Sequence, residues 1–232
     1  MSEPTSDVSG AVKETAKAAG KAIDGVREFG GFISKCVAGP LEQGMGIFED
    51  KLKYMRWDRQ LRLMQRAEHR MNELGFSFPT RPIPLKLAIP LLEAASLEDD
   101  DYLQDLWVRL MVGAATGTSP QTLTRAHIAI LEQLSRPDVE VLLKVQEVPF
   151  EDGVITGVLT HELPDRAYAD PRAARGELVE PSLDVRLSLA NLARVGCISL
   201  GRMFGGGEFY ARVHPTFLAL TLTASLTLPL PD

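Results

Sequence analysis

Cysteine, histidine and net positive charge are all scarce in this chain, and each scarcity narrows its chemistry. Cys36 and Cys197 are the two cysteines of 232 residues, and neither lies in a CxxC pair. A disulfide framework is therefore not expected, and a reducing cytoplasm is the expected setting. The four histidines, His69, His127, His161 and His214, are scattered without HxxxH spacing. No metal site is expected from them. No GxSxG elbow and no GxxxxGK(S/T) loop occurs. The chain therefore reads as a non-enzyme, with no catalytic residues, no cofactor and no small-molecule substrate. A basic excess is also missing, since 25 Lys and Arg stand against 31 Asp and Glu. That disfavours a strongly basic nucleic-acid binder and leaves open a local basic face. The longest stretch without a formal charge, Val213 to Pro231, spans 19 residues. Its threonines and three prolines make it a poor membrane-spanning helix. The first twenty residues show no signal-peptide pattern.

What is present is an ordinary globular composition, 45 % hydrophobic and 24 % charged, which can bury a core. The pattern changes along the chain. Residues 1–11 are polar and read as a disordered start. Residues 12–74 read as an amphipathic helical region, 75–148 as a central helical bundle, and 149–232 as a winged-helix-like module with an irregular insertion. The expected fold is mainly α, closed by a winged-helix-like α/β module.

Val12, Ala16, Ala19, Ile23, Val26, Gly30, Ile33 and Val37 alternate at intervals of four and three. That is an apolar seam at heptad spacing. Its residues are small and glycine interrupts it, so the helix is weak by itself and needs a partner surface. The partner can be the rest of this chain, a second copy, or a lipid surface. Acidic residues outnumber basic ones over residues 1–50, which disfavours anionic lipid. The expected location is cytoplasmic, or peripheral at the inner membrane if lipid is the partner.

A second helix is expected from about Phe48 to Leu74, with Tyr54, Trp57, Leu61, Met64 and Met71 on one stripe. Arg56, Arg59, Arg62, Arg66 and Arg70 recur every three or four residues along another side. They form a solvated face, pair with the acidic run Glu98–Asp101, or contact nucleic acid or phospholipid. Gly75 ends this helix. Prolines 79, 82, 84 and 90 then predict an extended connector over residues 76–90. Ser96, with Asp99 three residues on, is expected to cap a helix burying Leu103, Leu106, Trp107, Leu110 and Met111 and loosening at Gly113. Ser119-Pro120 is expected to open the next helix, and a further one runs from Val139 to about Glu147.

Beyond Pro149 the pattern turns irregular, with a short strand expected at Val154–Leu159. Ser182 caps a helix through Arg194, with Leu183, Leu187, Leu189, Leu192 and Val195 apolar, and Gly196 stops it. Two strands, Cys197–Leu200 and Phe209–Val213, flank the turn GRMFGGGE. Helix, helix, strand, glycine turn and strand follow the order of a winged-helix module. Arg186, Arg194, Arg202 and Arg212 fall on its second helix and wing, a weak basic set for nucleic acid. Winged helices also serve as protein-contact domains. Periodicity does not decide between helix and strand for residues 216–230.

Three segments carry a family resemblance. They are PLKLAIPLLEAASLEDDDYLQDLWVRLMVGAAT (84–116), RAHIAILEQLSRPDVEVLLKV (125–145) and LSLANLARVGCISL (187–200). Their order and spacing resemble the abortive infection alpha (Abi-alpha) family of bacterial proteins, with Val195 where leucine is usual. The resemblance implies antiphage defence by abortive infection, in which an infected cell stops growing or dies before phage release. It brings no catalytic residues. The expected function is a non-enzymatic effector or sensor acting through protein contacts or self-association. The alternatives are a winged-helix nucleic-acid-binding regulator and a peripheral membrane effector using the N-terminal seam.

Overall fold

The computed structural model describes residues 31–32, 34–38, 57–173, 178–202 and 208–227. Val12, Ala16, Ala19, Ile23, Val26, Ile33 and Arg56 lie outside the described residues, as do the polar start and the glycine turn at 203–207. The described chain is mainly helical, with a small three-stranded antiparallel sheet. One hydrophobic core runs through it from Phe32 to Leu226.

Residues 34–36 are helical and lead into strand β1 (Val37–Ala38), so the apolar seam leaves the helix at its last position. Val37 pairs in parallel with Ile83 of β2 (Ile83–Pro84). Helix α1 (Trp57–Glu73) turns Leu63, Met64, Ala67 and Met71 inward at helical spacing. It ends in a Schellman motif: Gly75 takes φ +78°, and Phe76 N–H donates to Met71 O at 2.8 Å.

The extended connector stops at Pro84, six residues short of the expectation, because α2 (Leu85–Leu97) contains Pro90. An interior proline costs a helix about 3 kcal/mol. Burying a leucine returns about 1.5–3 kcal/mol, and α2 buries Leu87, Leu91 and Leu92 together with three alanines and a serine. That serine, Ser96, sits inside α2 and donates to Leu92 O at 2.6 Å, so it caps nothing. The cap of α3 (Asp101–Thr116) is Asp100, whose Oδ1 accepts from Tyr102 N at 2.8 Å and Leu103 N at 3.1 Å. Gly113 does not loosen α3. It is buried, and the helix continues to a left-handed stop at Gly117. Trp107, 1 % exposed, is in the core as its spacing implies.

Helix α4 (Arg125–Leu131) is opened by Thr124, whose hydroxyl accepts from His127 N, and not by Ser119-Pro120. Ser119 Oγ is instead 3.0 Å from Ser225 Oγ, far along the chain. Helix α5 (Arg136–Gln146) starts three residues earlier than its apolar run suggests, because Ser135 and Asp138 close a capping box and Pro137 fits the first turn. The expected strand at 154–159 shrinks to its last two residues, because Val154 and Ile155 belong to helix α6 (Phe150–Ile155). Glu151 and Asp152 favour its first turn, and β3 covers only Val158–Leu159. An irregular stretch follows, and α7 (Leu183–Arg194) begins at the Ser182 cap.

Strands β4 (Ile198–Arg202) and β5 (Glu208–Pro215) form a hairpin with a register shift between Leu200 and Gly201. β3 pairs antiparallel with the other edge of β5, giving the order β3-β5-β4. The undecided last element is a helix, α8 (Phe217–Leu226), packed on α3 and α5. Its hydroxyls bond back to its own carbonyls: Thr223 to Ala219 O at 2.9 Å and Ser225 to Thr221 O at 3.0 Å. An uncharged helix with satisfied hydroxyls can enter a core from several sides. Among the described residues no helix is long and apolar enough to cross a membrane.

Candidate functional site

The arginine stripe of α1 faces the acidic start of α3. Arg66 is held there at three points. Its Nη2 is 2.6 Å from Asp101 Oδ1, and its Nη1 is 2.7 Å from Asp105 Oδ1 and 2.8 Å from Asp101 O. Arg59 donates to Leu97 O at 2.6 Å and lies 3.6 Å from Asp99. Arg70 pairs along its own helix with Glu73 at 3.1 Å, and Arg62 is an exposed member of the same helix. The acidic run and the stripe therefore answer each other across two helices. Exposed pairs of this kind contribute about 0–1 kcal/mol each.

A second polar cluster joins two segments that are far apart in sequence. Asp138, 5 % exposed, holds one carboxylate oxygen among three donors. Oδ2 accepts from Ser135 N at 2.8 Å, Ser135 Oγ at 2.7 Å and Asn191 Nδ2 at 2.9 Å. Asn191 also donates to Gln133 O at 2.9 Å, and its Oδ1 accepts from Arg194 Nε and Nη2 at 3.0 and 2.7 Å. Arg194 Nη1 closes the circuit on Gln133 Oε1 at 2.6 Å. The N-terminus of α5 is thus tied to the C-terminal half of α7 by a network in which each member has partners. Arg194, singled out for nucleic acid or phospholipid, serves this junction, and Arg202 is placed by its backbone as the last residue of β4. Sequence reading missed Asp138 and Asn191. The available signal was an asparagine set between Ala190 and Leu192 in the helical segment, which needs a partner to be there.

The groups with acid–base or nucleophilic potential are dispersed. Burial pushes the Cys36 and Cys197 thiols up to about 12, so both stay protonated and weakly reactive. His127 is buried, its Nε2 is 3.2 Å from Thr221 Oγ1, and burial depresses its pKa. His69 pairs with Glu73, His161 with Glu162, and His214 Nδ1 is 3.0 Å from Val154 O. Among the described residues no group of three His, Cys, Asp or Glu could hold a metal ion.

The apolar residues of α7 divide between its two sides. Leu183 and Leu187 do not face the interior; they are 63 % and 64 % exposed, and Val179 before them is 60 % exposed. The buried strip is Val185, Ser188, Leu189 and Leu192. Asp184 and Arg194 are also exposed on this helix. A single helix therefore carries an outward apolar face bounded by an acid near its start and a base at its end. Val37, the one residue of the N-terminal seam whose side chain is described, is buried against the chain's own core.

No curated protein and no solved structure matches this chain significantly. The family described as Abortive infection alpha matches residues 58–221, well over half the chain. That span runs from α1 into α8 and takes in the Arg66–Asp101 pairing, the Asp138–Asn191 junction and the three-stranded sheet. On that match, the chain belongs to the abortive infection alpha family.

Proposed function

We propose that this chain protects bacteria from phage by abortive infection, as a non-enzymatic protein that acts through protein contacts. Family membership supports the antiphage role. The observation that carries the mode of action is the outward apolar face of α7. Exposed leucines at helical spacing are a protein-contact feature and not a phosphate-contact one.

The order α5, α7, β4 and β5, with β3 completing the sheet, supports a winged-helix-like reading of this module. Fold alone does not choose its ligand. Nucleic-acid binding is the second reading, favoured by that order and by Arg186, Arg202 and Arg212 on the module. Against it, the outward face of α7 carries Leu183, Asp184 and Leu187, and Arg194 is engaged by Gln133 and Asn191.

Phage challenge of cells with and without the gene tests the role. Culture survival at low phage dose with collapse at high dose is the expected result. Equal lysis with and without the gene at low dose overturns it. A gel shift with the purified chain separates the two readings. Tight binding that weakens steeply with salt favours nucleic acid, and its absence favours protein contact.

A further inference from the structure

Leu183, Leu187, Ala190 and Arg194 recur at intervals of four, three and four. That is the spacing by which one helix presents a seam to another. The opposite strip of α7 already packs on α5 and β4, so the outward leucines add nothing to the chain's own core. The seam is self-complementary when one copy is reversed. With a two-fold axis between residues 188 and 189, Leu187 meets Ala190 of the second copy, a large side chain against a small one. Leu183 then meets the aliphatic stem of Arg194, which can cover a leucine while its guanidinium stays exposed on Gln133 and Asn191.

Charge agrees with that direction. Asp184 lies near the start of the helix and Arg194 at its end, both exposed. Reversal brings each acid to the other copy's base and also opposes the two helix dipoles. A parallel pairing would instead set acid beside acid. Asp184 on the rim disfavours an anionic lipid surface as the occupant.

We propose that two copies of this chain pair through α7, antiparallel about a two-fold axis. The proposal rests on reading the α7 face as a protein contact, and it names the partner. Two exposed leucines and a half-buried alanine make a small patch beside the roughly 800 Å² per partner of a standard interface. The pairing is therefore weak and concentration-dependent.

Sedimentation velocity of the full chain over a concentration series reads it. The sedimentation coefficient should rise with concentration, and Leu187→Glu should remain monomeric with an unchanged circular dichroism spectrum. The direction is read by charge. Asp184→Arg alone and Arg194→Asp alone, each with an unchanged circular dichroism spectrum because Arg194 also closes the junction with Gln133 and Asn191, should each lose self-association about tenfold or more. Mixed in equal amounts, they should form a heterodimer, because every cross-pair is then opposite in sign. A chain that stays monomeric throughout overturns the proposal. Association that survives Leu187→Glu also overturns it, since another surface then carries the contact. Single variants that fail to associate when mixed overturn the antiparallel arrangement. Phage challenge with Leu187→Glu is a separate readout. Lost pairing with full protection leaves the homodimer standing and removes only the functional reading of the face.

Discussion

Helices α3 and α7 are both leucine-rich, yet they meet water very differently. α3 buries eleven of its 16 residues, Trp107 among them. α7 buries four of its 12 and leaves two leucines outside. The difference lies in their neighbours. α3 is packed by α1, α2 and α8, whereas α7 rests chiefly on α5 and β4. Apolar content tells that a helix has a face to cover. The number of elements around it decides whether the chain covers that face itself.

The strongest way to break this contrast is at Trp107. Trp107→Ala should destabilise the fold by about 3–5 kcal/mol, read by urea or thermal unfolding, because the surrounding helices cannot collapse into so large a space. An unchanged melting temperature would contradict the packing of α3.

The attachment of α7 is tested at Asp138. Asp138→Ala removes the shared acceptor of Ser135 N–H and Ser135 Oγ and one of the two acceptors of Asn191 Nδ2. A loss of about 1–3 kcal/mol is expected. Hydrogen exchange should show α7 loosening more than α3, because only α7 is tied by this junction.

The contact between α4 and α8 carries a pH dependence. Burial lowers the His127 pKa below the 6.5 of an unperturbed histidine, so the unfolded chain binds that proton more readily than the folded one. Stability from this group is fully present above pH 6.5 and is lost as pH falls from there through the depressed folded value. His127→Gln should flatten that part of the stability–pH curve. An equal slope in the variant assigns the dependence to other groups.

The smallest effect is expected on the outward face of α7. Leu187→Ser should change monomer stability by no more than about 0.5 kcal/mol, since the residue touches water and not the core. A larger loss would show that the face is already covered within one chain. The contrast with Trp107→Ala then measures how differently the two helices use their leucines.

Much of the scaffold is legible residue by residue. Trp107 announces itself as core through Leu103, Leu106, Leu110 and Met111 at helical intervals. Gly75 and Ser182 mark helix ends because their roles are local. The pairing of Arg59 and Arg66 with the acidic run is readable as one of several outcomes for a charged stripe. Pro90 misleads, because the rule against interior proline weighs only the backbone while burial of Leu87, Leu91 and Leu92 outweighs it. Ser96 misleads as well, since a buried hydroxyl satisfied at Leu92 O is indistinguishable in sequence from a capping one. The Asp138–Asn191 contact joins residues 53 apart, and no local pattern encodes it.

By itself, then, the sequence determined the helical character, the end of α1, both ends of α7 and the family. Each depends on neighbours a few residues away, whose hydrogen bonds and spacing are local. Tertiary structure alone decided that residues 217–226 are a helix, that Arg194 belongs to a junction with α5, and that Leu183 and Leu187 face outward. Burial is a relation between segments. A leucine's environment is set by whichever distant helix or strand arrives against it, and helical periodicity states only that such a surface is needed.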